Sequence, residues 1–149
     1  MTGPVSDTTT ASTARPSRGA RAVRLLLFSD DRSVRDAVRL AVGRRPAPDV
    51  EIESWQEFAT APAVVEAVKA GQVDMLILDG EAAPLGGLGL CRQLKHEVYE
   101  CPPVIVLTGR PQDAWLASWS YADAAVPQPF DALTMSQAVV DVARTLADD

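Results

Sequence analysis

The sequence predicts one α/β domain whose parallel sheet is covered by helices on both faces. Three segments are almost entirely apolar, as expected of strands that are buried on both faces. Helical apolar spacing follows them, as in 32–44, so strand and helix alternate along the chain. Right-handed crossovers between such units give a doubly wound sheet.

Each of the five strand–helix units is assigned from its own pattern. The strands are predicted at 23–28, 50–55, 73–79, 102–109 and 122–126. The helices are predicted near 32–44, 62–71, 88–97, 110–120 and 131–147. The alternation in 50–55 is typical of a half-buried or edge strand, and Asp131 is a plausible N-cap.

The first twenty residues differ in composition from the rest. Thr, Ser, Ala, Gly and Pro dominate residues 1–20, which contain too little apolar area to offset the entropy of ordering. We predict a disordered tail at 1–20 and a folded domain at 21–149. An amphipathic membrane anchor is the alternative, but no 3.6-residue apolar stripe supports it.

Composition argues against several classes of function. The net charge of -6 and the pI of about 4.7 disfavour direct binding to nucleic acid. No apolar run is long enough to insert into a bilayer. Cys91 and Cys101 are predicted to be reduced thiols, and with His96 as the only histidine a zinc site is not expected. We therefore expect a cytoplasmic protein.

Acidic residues follow two of the buried strands. Asp30 and Asp31 come after the first strand, Asp79 ends the third, and Thr108 lies near the end of the fourth. The carboxyl ends of parallel strands share one edge of the sheet, where ligands bind. The acids either cap helices and form turns, or they hold a hard cation such as Mg²⁺ beside a carboxylate that could attack a phosphoryl group.

Four motifs in order resemble the receiver domain of two-component response regulators, over about residues 23–147. They are "LLLFSDDRSVR", "LILDGEAAPLGGLGLCRQL", "PPVIVLTG" and "PQPF". The resemblance implies a flavodoxin-like (βα)5 fold with strand order 2-1-3-4-5. It implies Asp79 as phospho-acceptor, with Gly87 eight residues later, and Mg²⁺ held by Asp30, Asp79 and the carbonyl of Glu81. It also implies a histidine kinase as partner, no organic cofactor and no enzymatic activity.

The sequence departs from the family pattern at positions that matter chemically. Ser29 replaces one acid of the metal site, and Gln128 replaces the family lysine that pairs with the acceptor. Ala125 replaces the aromatic that is coupled to the switch residue Thr108. The loop proline falls one residue late, at Pro84. These changes predict an atypical receiver that binds Mg²⁺ weakly.

Aromatic residues on the predicted fourth helix are candidates for partner binding. Trp115 and Trp119 are spaced i, i+4, and Tyr121 follows. They either pack against the sheet or stay exposed as interface anchors, and in receivers the usual partner face is the fourth helix, fifth strand and fifth helix.

Stand-alone actinobacterial receivers are similar in "LDGEAAPLGGLGL", "CPPVIVLTGRPQDAWLASWS" and "AAVPQPF". That subgroup is linked to respiratory NADH dehydrogenase. The resemblance implies a cytoplasmic-side subunit of that complex as partner, and a place peripheral to the inner membrane.

Three functions remain open on the sequence alone. The first is a phosphorylation-independent binding module or accessory subunit, which Ser29, Ala125 and Gln128 favour. The second is a working phospho-switch, which Asp79 and Thr108 favour. The third is a flavodoxin-like cofactor protein, which the carboxylates after the first strand disfavour because they repel phosphate.

Overall fold

A computed structural model describes residues 20–82, 86–110 and 113–146. The strands are β1 (Arg21–Phe28), β2 (Val50–Phe58), β3 (Met75–Asp79), β4 (Val104–Thr108) and β5 (Ala124–Pro127). The helices are α1 (Arg32–Val42), α2 (Ala61–Lys69), α3 (Gly87–Glu97), α4 (Ala114–Trp119) and α5 (Ala132–Ala143). Every strand pairs in parallel, in the order β2-β1-β3-β4-β5, which confirms the predicted fold and strand order.

The sheet separates two apolar cores. Leu25 and Leu27 of β1 face the core formed with α1 and α5, whereas Leu26 and Phe28 face the core formed with α2 and α3. Successive side chains of a strand point to opposite faces, so a central strand must be apolar at every position. For this reason, the continuous apolar runs in the sequence correctly predicted the central strands of the sheet.

The strand order fixes where a site can form. The chain crosses from β1 to β2 in one direction and from β3 onward in the other, so β1 and β3 neighbour each other at the switch point. In open α/β sheets, ligands bind at such a switch point, outside the carboxyl ends of the strands. Three polar side chains are almost fully buried along this edge: Ser29 at 0%, Asp79 at 2% and Thr108 at 2% exposed.

Several element ends differ from prediction. β2 is an edge strand as expected, but it continues to Phe58, which pairs with Phe28. α4 begins only at Ala114, and α5 ends at Ala143 before a turn. The tail predicted at 1–20, apart from Ala20, and the predicted loop proline Pro84 lie outside the described residues. Within those ranges no helix is both long and apolar enough to cross a membrane.

Candidate functional site

Asp79 is held by three hydrogen bonds from uncharged donors. Its Oδ1 accepts from the backbone N–H of Glu81 at 2.9 Å and from Nε2 of Gln128 at 3.1 Å. Its Oδ2 accepts from the hydroxyl of Ser29 at 2.7 Å. No basic side chain in the part of the chain that the structure describes forms an ion pair with Asp79. Among the described residues, both carboxyl oxygens therefore accept hydrogen bonds from neutral donors only.

Ser29 is locked in place from both sides. Its Oγ accepts from the N–H of Asp31 at 3.0 Å, which directs the hydroxyl proton toward Asp79. Its carbonyl accepts from Nη1 of Arg35 at 2.7 Å, and Arg35 in turn donates through Nε to Glu57. We predicted that Ser29 removes an acid from the metal site. The hydrogen bond from the Ser29 hydroxyl to Asp79 was not predicted, because it depends on the rotamer of Ser29.

The two adjacent acids after β1 have different surroundings. Asp31 is the N-cap of α1: its Oδ1 accepts from the hydroxyl and the backbone N–H of Ser33, and these bonds lower the pKa of Asp31. The cap interpretation is thus confirmed for this residue. Asp30 is exposed to solvent beside it.

The predicted metal ligands do not form a cluster of acidic side chains. Among residues 20–82, 86–110 and 113–146, no group of three or more His, Cys, Asp or Glu side chains gathers to hold a metal ion. Glu81 is exposed, and its carboxylate covers Gly109, where an added Cβ would lie 2.7 Å from Oε2. The predicted set of Asp30, Asp79 and the carbonyl of Glu81 stays a prediction.

The turns around Asp79 explain its position. A Cβ at Gly87 would lie 2.7 Å from the carbonyl oxygen of Asp79, so the start of α3 packs directly on the end of β3. Gln128 reaches Asp79 because its backbone N–H donates to the carbonyl of Thr108 at 2.8 Å. The bond from Gln128 to Pro129 is cis. These contacts bring the ends of β3, β4 and β5 together at the carboxylate.

Of the predicted switch residues, Thr108 lies at a strand end and Ala125 lies within a strand. Thr108 ends β4, and Ala125 lies on β5 opposite Val106. Ala125 is half-buried and packs with the core that includes α2 and α3. Because alanine is small, this position presents no ring whose rotation could follow a change at Thr108.

The aromatic residues of the fourth helix are exposed rather than buried against the sheet. Trp115 is 66%, Trp119 46% and Tyr121 51% exposed. The guanidinium carbon of Arg92 lies 4.8 Å from the ring centroid of Trp119 and 5.0 Å from that of Tyr121. The ring of His96 meets Tyr121 edge-on at 5.4 Å. Trp119 and Tyr121 therefore pack toward α3.

Arg92 and His96 were not predicted as part of this surface. They are spaced i, i+4 on α3, and this spacing was the signal available in the sequence. The residues that the Arg92 side chain contacts depend on how α3 packs against α4. The spacing of residues within either helix does not predict that packing.

Comparison with known proteins identifies the family. The chain is 47% identical over 126 residues to a response regulatory protein of Mycobacterium tuberculosis, found alike in two strains, and the match covers 85% of this chain and 95% of the relative. No protein-family model matches the sequence.

Solved receiver structures share the fold. The signal receiver domain of NarL from Mycobacterium tuberculosis matches with a TM-score of 0.66 at 20% identity, over 84% of this chain and 98% of that chain. A response regulator from Chloroflexus aurantiacus matches with a TM-score of 0.68 at 19% identity, over 83% and 99%. Together with the strand order and the buried Asp79, these relatives show that the chain belongs to the response regulators and carries their receiver domain.

Proposed function

We propose that this receiver acts as a phosphorylation-independent protein-binding module or accessory subunit rather than as a phospho-switch. One observation carries the proposal: both oxygens of Asp79 are occupied by neutral donors, namely Ser29, Gln128 and a backbone N–H. A phospho-acceptor also needs open access for the phosphoryl donor and a positive charge that stabilises the transferred group, and Asp79 is only 2% exposed.

The site offers little of that positive charge. Gln128 donates one hydrogen bond where the family lysine would supply a cation. Mg²⁺ favours several carboxylate or carbonyl oxygens in an octahedron. Here Ser29 supplies a hydroxyl that is already engaged with Asp79, and Asp30 is the remaining carboxylate of the predicted set beside it. We infer that Mg²⁺ binds weakly and that Asp79 accepts a phosphoryl group slowly or not at all.

The candidate partner is a cytoplasmic-side subunit of respiratory NADH dehydrogenase. The support is the resemblance to stand-alone receivers linked to that complex, together with the exposed aromatic residues on α4. In this proposal the protein is cytoplasmic and peripheral to the inner membrane, where it is held through its partner. Copurification of NADH dehydrogenase subunits with a tagged chain from solubilised membranes tests the assignment, with an unrelated tagged receiver as control.

The central test separates binding from phosphorylation. Asp79→Asn and the wild type are compared for affinity to the purified partner, each with and without acetyl phosphate and Mg²⁺. We expect one affinity under all four conditions. A change that requires both acetyl phosphate and Asp79 would refute the proposal.

The alternative is a phospho-switch with Asp79 as acceptor, served by a histidine kinase. It is favoured by the position of Asp79 at the end of β3 and by the nearby Thr108 and Gly87. Intact mass after incubation with acetyl phosphate and Mg²⁺ distinguishes the two functions. The double variant Ser29→Asp/Gln128→Lys restores the family's residue types and is the matched positive control. We expect an adduct on that variant and none on the wild type.

A further inference from the structure

One surface at the ends of α3 and α4 combines exposed rings with a stacked cation. We call it the aromatic–cation cluster, and it consists of Arg92, His96, Trp115, Trp119 and Tyr121. The sequence contains three tryptophans and two tyrosines, so this cluster holds three of those five rings. Arg, Trp and Tyr are the residue types that most often dominate binding energy at protein interfaces.

Arg92 has no acidic partner within the described residues. Its Nη1 donates to the carbonyl of Trp119 at 2.6 Å, and its guanidinium carbon lies 4.8 Å from the Trp119 ring centroid and 5.0 Å from that of Tyr121. By contrast Arg110, whose side chain is 67% exposed, pairs with Asp113. The guanidinium of Arg92 therefore keeps donors available in a fixed fork, and such a fork matches a carboxylate.

The backbone conformation at Tyr121 fixes the position of its ring in the cluster. Tyr121 has φ of 66°, in the left-handed region that a helix end usually gives to glycine. Hydrogen bonds from Tyr121 to Ser118 and from Ala122 to Ala117 close α4 around it. A bulky residue in this conformation is uncommon, and its effect here is to hold a ring against Arg92.

We propose that the aromatic–cation cluster docks a segment of a protein partner that places a carboxylate on Arg92 and an apolar side chain against Trp115 and Trp119. This rests on the proposed function. A nucleic-acid partner fits less well, because its binding depends on neutralising many phosphates, whereas the protein has a net charge of -6 and the cluster offers a single arginine.

Trp119 and Tyr121 lie toward the edge of the sheet opposite Asp79, whereas Trp115, at the start of α4, lies toward the Asp79 edge. α4 ends at Trp119 and leads into the start of β5, whereas Asp79 is at the carboxyl end of β3. In a parallel sheet these are opposite edges. Docking on Arg92, Trp119 and Tyr121 therefore needs no change at the carboxylate, which agrees with phosphorylation-independent binding.

The first experiment locates the partner segment. A photo-crosslinking amino acid is placed in the full chain at Trp115 and, as a control, at Leu133 of α5, which is 76% exposed. Crosslinking is carried out in the cells that produce the protein, and the attached segment is sequenced by mass spectrometry. We expect the crosslinker at position 115 to attach to one discrete protein segment that contains an Asp or Glu. We expect no such attachment from the crosslinker at position 133. No crosslink at 115, a second copy of this chain, a lipid or a nucleic acid would each overturn the proposal.

The second experiment measures the inferred contact on the crosslinked partner. Arg92→Gln should weaken binding about thirtyfold, the loss typical of an interface hot spot. Arg110→Gln makes the same charge change elsewhere and should leave the affinity unchanged. Neutralising the partner's carboxylate should weaken binding in wild type but have little further effect in Arg92→Gln. Independent, additive losses would overturn the proposal.

The outcomes separate this proposal from the proposed function. If Arg92→Gln weakens partner binding and Asp79→Asn leaves it unchanged, both the docking surface and the proposed function are supported. If Arg92→Gln weakens binding and the affinity also changes in a way that requires both acetyl phosphate and Asp79, the docking surface is kept but phosphorylation independence is refuted. Insensitivity to Arg92→Gln refutes the docking surface alone.

Discussion

Replacing Ser29 with alanine should destabilise the protein far more than the loss of one surface hydroxyl would. The hydroxyl is fully buried, donates to Asp79 at 2.7 Å and accepts from the N–H of Asp31 at 3.0 Å. Ser29→Ala removes the donor and leaves a buried carboxyl oxygen without it. Asp79 is only 2% exposed, so water cannot readily take its place.

The size of the effect follows from these two bonds. Leaving a buried acceptor unsatisfied costs about 1–3 kcal/mol, and the lost bond from the partly buried Asp31 N–H adds about 0.5 kcal/mol. Removing a single oxygen creates little cavity. We therefore expect the free energy of unfolding to fall by about 2–3 kcal/mol, and the midpoint of thermal unfolding by about 6–12 °C.

Urea unfolding at pH 7 measures the change, and Ser33→Ala is the matched control. Ser33 also donates its hydroxyl to an aspartate, Oδ1 of Asp31 at 2.7 Å, but at an exposed position. We expect it to cost less than about 1 kcal/mol. If Ser29→Ala costs no more than Ser33→Ala, solvent or a cation serves Asp79 instead of the hydroxyl, and the argument for a closed carboxylate fails.

Three further predictions concern other parts of the fold. Gly87→Ala should lower the free energy of unfolding by about 1–3 kcal/mol, because the new Cβ would collide with the backbone at the end of β3; an unchanged urea midpoint would contradict this packing. Burial raises the pKa of Asp74, but hydrogen bonds from the side chain and backbone of Arg24 outweigh it and lower that pKa overall. The ionised form therefore stabilises the fold above about pH 4, and this is lost as pH falls through the folded pKa, so Asp74→Asn should flatten the loss of stability in acid. Burial raises the pKa of Cys91 to about 11, so alkylation of the native thiol at pH 8 should be slow by mass spectrometry and should become fast on unfolding.

Sequence patterns predicted the order and type of all five strand–helix units, because the central strands are apolar on both faces. The ends of the elements were less predictable. β2 extends to Phe58 because it pairs with β1 over its whole length, with one shift in register between Val23 and Arg24. This pairing belongs to the tertiary structure and leaves no alternating pattern in residues 56–58.

The candidate site was predictable in its residues but not in its contacts. The departures at Ser29 and Gln128 were visible in the sequence, and so was the loss of charge at the site. That both side chains turn toward Asp79 and hydrogen-bond it follows from rotamers and from the Gln128 turn. In the same way, the spacing of Trp115 and Trp119 predicted a shared helical face, but the stacking of Arg92 depends on how two helices meet.

The three bonds to Asp79 also bear on the proposal that this receiver does not act as a phospho-switch. A switch needs two conformations whose free energies differ by only a few kcal/mol, so that a ligand or modification can exchange them. Ser29 and Gln128 tie the ends of β1 and β5 to β3 through one carboxylate, and each bond favours the same conformation. A phosphoryl group on Asp79 would have to displace these donors without a lysine to compensate, and Ala125 offers no ring to move in response. In the proposed function, the arrangement stabilises a single state, as a constitutive binding module requires.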